Sequence, residues 1–211
     1  TQGENGAWNW AKCGWAPMEI DDHYGVTLAV LASGIAPSSY AQTEPAQAGL
    51  GKARKYLKSY PAPSLHHRIM IAWASLRIGG LMEKKEREKV IDTMLSKQLA
   101  NGGWSTPSFL ADWKAFERKD GKPHDVNSSD AYGTGLALMV AREMGVPAKD
   151  ERLQKGVAWL KSNQRESGKW FSRSPVKDSK HYFTNTGCAF ALLGLQACGA
   201  LPGWPFETAQ K

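Results

Sequence analysis

Apolar residues recur along this chain at intervals of three and four, and no stretch of strand length alternates apolar with polar positions. That periodicity predicts helices and no sheet, with helix well above half of the chain. Two kinds of helix are expected. Residues 47–60, 85–97 and 150–163 are amphipathic; in the last of these Leu153, Val157 and Leu160 mark one apolar side. Residues 22–34, 64–79, 127–145 and 185–199 are apolar on most sides and rich in Ala and Gly, the pattern of a buried helix that lets its neighbours come close. Amphipathic and apolar helices alternate in chain order, so the expected class is all-α, with surface helices wrapped around an inner set.

A heptapeptide recurs within this alternation. Gln2 to Trp8 reads QGENGAW, Gln98 to Trp104 reads QLANGGW, and Gln164 to Trp170 reads QRESGKW. The latter two each follow an amphipathic helix, and all three precede a polar loop and an apolar helix. The chemistry is structural: glycine permits a positive φ after a helix, tryptophan supplies a large apolar plate, and the glutamine amide can bond free backbone groups at a neighbouring helix terminus. The amphipathic helix 47–60 lacks the motif.

With 211 residues, 42% of them hydrophobic, the chain can bury a core without a metal or disulfide, and one domain spanning 1–211 is expected. The net charge of +7 and pI near 9.3 suggest an anionic partner on their own. The charges are interspersed, however: Lys84, Lys85, Arg87 and Lys89 alternate with Glu83, Glu86 and Glu88, as on a solvated helix face, and no nucleic-acid partner is implied. Cys188 and Cys198 lie on one predicted helix about 15 Å apart and cannot pair, so Cys13 can join only one of them and no disulfide framework is indicated. No signal peptide or membrane span is visible, and a chain that begins Thr1-Gln2 is expected to be a processed or trimmed piece. The compartment stays open, with membrane association or export from a bacterium among the expectations.

The three Gln-Trp motifs, set between alternating helices over nearly the whole chain, resemble the prenyltransferase and squalene-cyclase repeat superfamily, in particular the squalene-hopene and other class II terpene cyclases. That resemblance implies an α/α toroid, a ring of inner helices inside a ring of outer ones. Four inner and three outer helices make the ring incomplete against a family pattern of about six pairs. The implied partners are therefore the missing half of the toroid, from an upstream segment or a second copy, and an apolar isoprenoid or lipid ligand. No cofactor is implied.

Class II cyclases carry an Asp-x-Asp-Asp acid motif at the start of an inner helix, and here Glu19-Ile20-Asp21-Asp22 begins eleven residues beyond Trp8. The sequence departs in having Glu19 as the first acid and His23-Tyr24 where the family has Thr-Ala. By resemblance, Asp21 is the general acid that protonates an alkene or epoxide, with Asp22 beside it and Glu19 as the substituted first acid. His66 and His67, which open the next inner helix, would tune that acid, and Tyr24, Trp73, Tyr132 and Phe183 are the candidate cation-stabilising aromatics. The residues also admit a plainer role, because carboxylates and hydroxyls at helix N-termini cap free N–H groups. Asp22 and Asp130 fit it, as do Ser64, Ser128, Ser129, Thr184 and Asn185.

Asp21, Asp22, His23, His66 and Asp130 are metal-ligand types, yet no Cys-x-x-Cys or His-x-x-x-His spacing organises them, and no metal is expected. No Ser-His-Asp signature or phosphate-binding glycine loop appears, and Gly133 and Gly135 read as close-packing positions. The competing functions are a class II cyclase-like enzyme, a non-catalytic toroid that binds a peptide, lipid or neighbouring domain, and a polysaccharide-active toroid using Asp21 and Asp130.

Overall fold

The computed structural model describes residues 1–9, 12, 14–114, 116–178 and 183–201. Cys13 and the C-terminal residues 202–211 lie outside them. Helix accounts for 51% of the described chain and no strand is present among the described residues. The helices are α1 (Asp22–Ile35), α2 (Glu44–Ser59), α3 (Leu65–Ala74), α4 (Lys84–Leu95), α5 (Thr106–Leu110), α6 (Ala131–Glu143), α7 (Glu151–Ser162) and α8 (Thr184–Ala197), with a 3₁₀ turn at Tyr40–Gln42. The all-helical expectation stands. The helix content falls short of it because long irregular loops separate the helices.

Two predicted inner helices are shorter than their apolar runs. The run 64–79 stops at Ala74, where the Ser75 hydroxyl bonds the Ala72 carbonyl at 2.6 Å and the next turns tighten to three-residue bonds, a side chain competing with the helical ladder. The run 127–145 starts only at Ala131 because Asp130 caps the helix. The short helix α5 had no signal in the periodicity.

The chain divides into two compact units. The first comprises residues 1–94, 109–123 and 175–177; the second comprises 95–108, 124–174 and 178 onward. Unit 1 packs α1 against α2 and α3, around Val26, Val30, Leu31, Ile69, Met70 and Ala72. A satellite cluster in the same unit joins Ala16, Leu110, Phe116 and Val176, with Trp15, Ile20 and Trp113 packed on it. Unit 2 is organised by α6, buried from Ala131 to Ala141 and packed on α7 and α8. Here Gly135 has its explanation: a Cβ on it would strike the backbone of Phe190, and one on Gly194 would meet the Gly135 carbonyl at 2.8 Å. Small residues set how closely α6 and α8 cross. Gly133 likewise faces the backbone of Ser105 and Thr106.

Apolar all round proved not to mean buried all round. On α1, Leu28 and Ile35 are exposed, and on α8, Leu193 is exposed.

The repeated motif acts as a clasp. In each copy the glutamine amide closes its own loop, donating to Gly6 at 2.9 Å from Gln2, to Gly102 at 2.8 Å from Gln98 and to Gly168 at 2.9 Å from Gln164. Gln2 and Gln98 then donate a second bond to the amphipathic helix that follows in sequence, at the Gly49 carbonyl (3.1 Å) and the Arg152 carbonyl (2.7 Å). Those carbonyls lie within α2 and α7, so the amide adds to the helical ladder instead of filling an unused terminal group as expected; an oxygen with two lone pairs accepts both bonds. Gly6, Gly102 and Gly168 all have positive φ, at 91°, 91° and 75°. Trp104 and Trp170 are buried at 0% and 2% exposure, whereas Trp8 is half-buried.

Candidate acid–base site

Asp21 ends an irregular loop in extended conformation and N-caps α1: its Oδ1 accepts the Tyr24 N–H at 2.8 Å. Ser64 does the same for α3, its hydroxyl accepting the His67 N–H at 3.4 Å. Because α1 and α3 are neighbours, these two capped ends meet. The His67 Nε2 lies 3.2 Å from Asp21 Oδ2 and 3.4 Å from Oδ1, while Nδ1 lies 2.8 Å from the Ser64 hydroxyl. Nε2–H donates to Asp21, and Nδ1 shares a hydrogen bond with the Ser64 hydroxyl, whose oxygen also accepts the backbone N–H. Ser64 and the His67 side chain are sealed from solvent, whereas Asp21 keeps 26% of its side chain exposed. The carboxylate therefore faces outward from an imidazole held on its inner side.

Electrostatics follow from this geometry. Burial pushes the Asp21 pKa up, but the hydrogen bond and charge of His67, the Tyr24 N–H and His23 outweigh it, so Asp21 sits below its ordinary value. A helix N-terminus acts in the same direction. Around His67 the rings are close-set: His23 edge-on at 5.2 Å, His66 at 5.9 Å and Trp113 at 5.0 Å between centroids. His23 is 5% exposed, and neither ring nitrogen has a hydrogen-bond partner. Burial and then the neighbouring His67 lower its pKa to about 4. His66 is fully buried and drops to about 3 by the same two causes. Its ring stacks with Tyr24 at 6.1 Å, and the Tyr24 hydroxyl is pushed up to about 12 by burial and the Glu19 charge.

The sequence candidates thus separate. Asp21, His66, His67 and Tyr24 come together. Asp22 is the first residue of α1 rather than its cap, and it pairs with Lys12 at 2.8 Å on the surface. Glu19 is exposed, in left-handed conformation at φ 51°. Trp73 is half-buried near the far end of α3. Tyr132 and Phe183 belong to unit 2, where Tyr132 is buried against Phe183 at 5.5 Å and Phe190 at 4.8 Å.

Asp130 is a cap in unit 2 with its oxygens committed: Oδ1 accepts Gly133 N–H and the Thr106 hydroxyl, and Oδ2 accepts Thr106 N–H. Burial raises its pKa against those bonds. Ser129 bonds Asn101 instead of capping α6, and α8 has no side-chain cap, so Thr184 and Asn185 do not serve as one. Among the described residues, no three His, Cys, Asp or Glu side chains are grouped to hold a metal ion.

Three participants were not tied to the acid by the sequence, although Ser64 was named there as a cap and His23 as a departure from the family pattern. Ser64 was legible, since a serine three residues before His67 has capping-box spacing. Trp113, far away in sequence, gave no local signal.

An Asp–His pair of this kind can hold a proton between carboxylate and imidazole and release it toward the side where Asp21 is exposed. No family model matches this chain, and no curated protein sequence matches it.

Proposed function

We propose that this chain is a squalene-hopene cyclase-like domain, part of an incomplete α/α toroid, in which Asp21 is the acid that protonates an isoprenoid alkene and His67 tunes it. The observation that carries the reading is the contact between Asp21 Oδ2 and the solvent-sealed His67 Nε2 at 3.2 Å, with His67 anchored by Ser64. In the step, the Asp21 O–H proton goes to an alkene carbon as a C–H bond forms. The π electrons make that bond, leaving a carbocation and a carboxylate that His67 stabilises. An alkene-protonating acid must hold its proton at neutral pH, which calls for a pKa raised by burial and by an adjacent carboxylate. Burial acts in that direction on Asp21, but the His67 and Tyr24 contacts outweigh it, so the proton is available only at low pH. Activity should therefore rise as pH falls toward the Asp21 pKa. Tyr24 is the aromatic beside this centre, Glu19 adds negative charge in the preceding loop, and Asp22 is ion-paired with Lys12.

The test is to incubate the full-length protein with squalene at several pH values and compare products with those of Asp21→Asn. Asparagine keeps an oxygen for the Tyr24 N–H, so the cap and the fold persist. Cyclised product from the wild type alone is the expected result.

A second reading, a non-catalytic toroid that binds a peptide or lipid, draws support from one observation. Asp21 accepts the Tyr24 N–H and has a lowered pKa, as a plain capping carboxylate does. No product from either protein would leave that reading and end the first.

A further inference from the structure

We propose that unit 2 carries a binding site for a neutral sugar, in the cleft where the C-terminal end of α7 meets the second Gln-Trp motif. The inference is independent of the acid–base reading, since neither Asp21 nor Asp130 lines this cleft.

The cleft has a volume of about 450 Å³. Ala100 and Asn101 of the motif loop form one side, and Ala158, Trp159, Ser162 and Asn163 of α7 and its end form the other. Ligand pockets of this size combine apolar and aromatic surface with a few placed polar groups.

The first repeat shows why the space exists. Gln2 docks on the Gly49 carbonyl and Gln98 on that of Arg152, so α2 and α7 can be aligned residue by residue. The loops match too: Asn5 and Asn101 each accept the N–H two residues on, at 3.0 and 3.1 Å. In this register Glu4, Lys55 and Tyr60 stand where unit 2 has Ala100, Ala158 and Asn163. The Tyr60 ring leans on Tyr56 with centroids 4.6 Å apart. Trp159 takes the place of Tyr56, and among the described residues no ring packs on it. Three shortened side chains thus leave a half-buried aromatic plate open on one side.

The polar groups beside that plate are assigned by their structural bonds. Asn101 spends its oxygen on the Gly103 N–H and the Ser129 hydroxyl, which leaves its amide N–H groups as donors. Asn163 spends its amide nitrogen on the Trp159 carbonyl at 2.8 Å, which leaves its oxygen as an acceptor. The Trp170 indole N–H is used on the Leu160 carbonyl, whereas that of Trp159 has no acceptor among the described residues and is not buried. Donors and an acceptor therefore flank one aromatic ring. Sugar hydroxyls both donate and accept, and the C–H face of a pyranose packs on the electron-rich face of an indole. Charge selects against an anion. Lys155, which also lines the cleft, is paired with Glu151 at 2.7 Å, and the C-terminal carbonyls of α7 present negative potential.

The test is to titrate the full chain with cellobiose, maltose and N,N′-diacetylchitobiose and follow the NMR signals of the Trp159 indole N–H and the Asn101 amide. At least one sugar should shift both signals saturably. Asn163→Tyr installs the residue of the first repeat and should weaken binding by about tenfold or more. Asn101→Asp keeps the oxygen that serves Gly103 and Ser129 but removes the donors, and should weaken it severalfold. Both variants should keep the wild-type urea midpoint. No saturable shift with any of the three sugars, binding that either substitution leaves untouched, or tighter binding of a sulfated disaccharide than of a neutral one overturns the proposal.

Discussion

Replacing His23 with leucine should make the protein markedly less sensitive to acid. The wild-type ring is 5% exposed with both nitrogens unbonded, so the folded state holds it neutral, with a pKa of about 4 against 6.5 for the free side chain. Above pH 6.5 neither state binds the proton and His23 adds no pH dependence. Between 6.5 and about 4 the unfolded chain takes up a proton that the folded chain refuses, so stability falls with pH across that window. At 1.36 kcal/mol per unit the full loss is about 3 kcal/mol, of which about 2.5 kcal/mol has gone by pH 4.5. That is a sizeable part of the roughly 5–15 kcal/mol holding a domain together. Leucine has a similar volume and nothing to protonate. Urea unfolding at pH 7 and pH 4.5 reads the difference: the wild-type midpoint should fall by about 1 M more than the variant's, for a slope near 2 kcal/mol per molar. Measuring at pH 4.5 leaves the Asp21 ion pair in place, because its lowered pKa means its stabilisation is lost only below the ordinary carboxylate value. An equal fall in both proteins would refute the argument.

Two further outcomes concern packing. Trp104→Ala removes a fully buried ring and should cost about 3–5 kcal/mol in urea unfolding, with Trp8→Ala costing clearly less because Trp8 is half-buried; equal costs would contradict the clasp geometry. Gly135→Ala sets a helix-propensity gain of about 1 kcal/mol against a Cβ driven into the backbone of α8 at Phe190. Overpacking of about 1–3 kcal/mol should win, so the melting temperature should fall, and a rise would show that α6 and α8 can separate freely.

Much of this architecture was legible before any coordinates. The apolar spacing located seven of the eight α-helices among the described residues, and the Gln-Gly-Trp repeats marked three loops, the first two of which clasp an amphipathic helix. Such features are local: a period of 3.6 residues, a glycine at positive φ and a hydroxyl or carboxylate three residues before an amide each act within one turn of chain. The ends of the inner helices were less legible because Ser75 and Asp130 decide them through specific side-chain bonds. For the acid site, the sequence placed Asp21 at the start of a helix and two histidines at the start of the next apolar helix, but not which histidine would reach it.

Tertiary packing decided that. With α1 and α3 side by side and each capped at its N-terminus, only the ring at the third position of α3 spans from Ser64 to Asp21, while His66 turns toward Tyr24. The sign of the Asp21 pKa shift was likewise beyond the sequence. It is the balance of burial against contacts with His67 and the Tyr24 N–H, and two of those three depend on which helices are neighbours. Exposure was undetermined for the same reason: an apolar side of α1 or α8 is buried only if another element covers it, and composition carries no record of which element does.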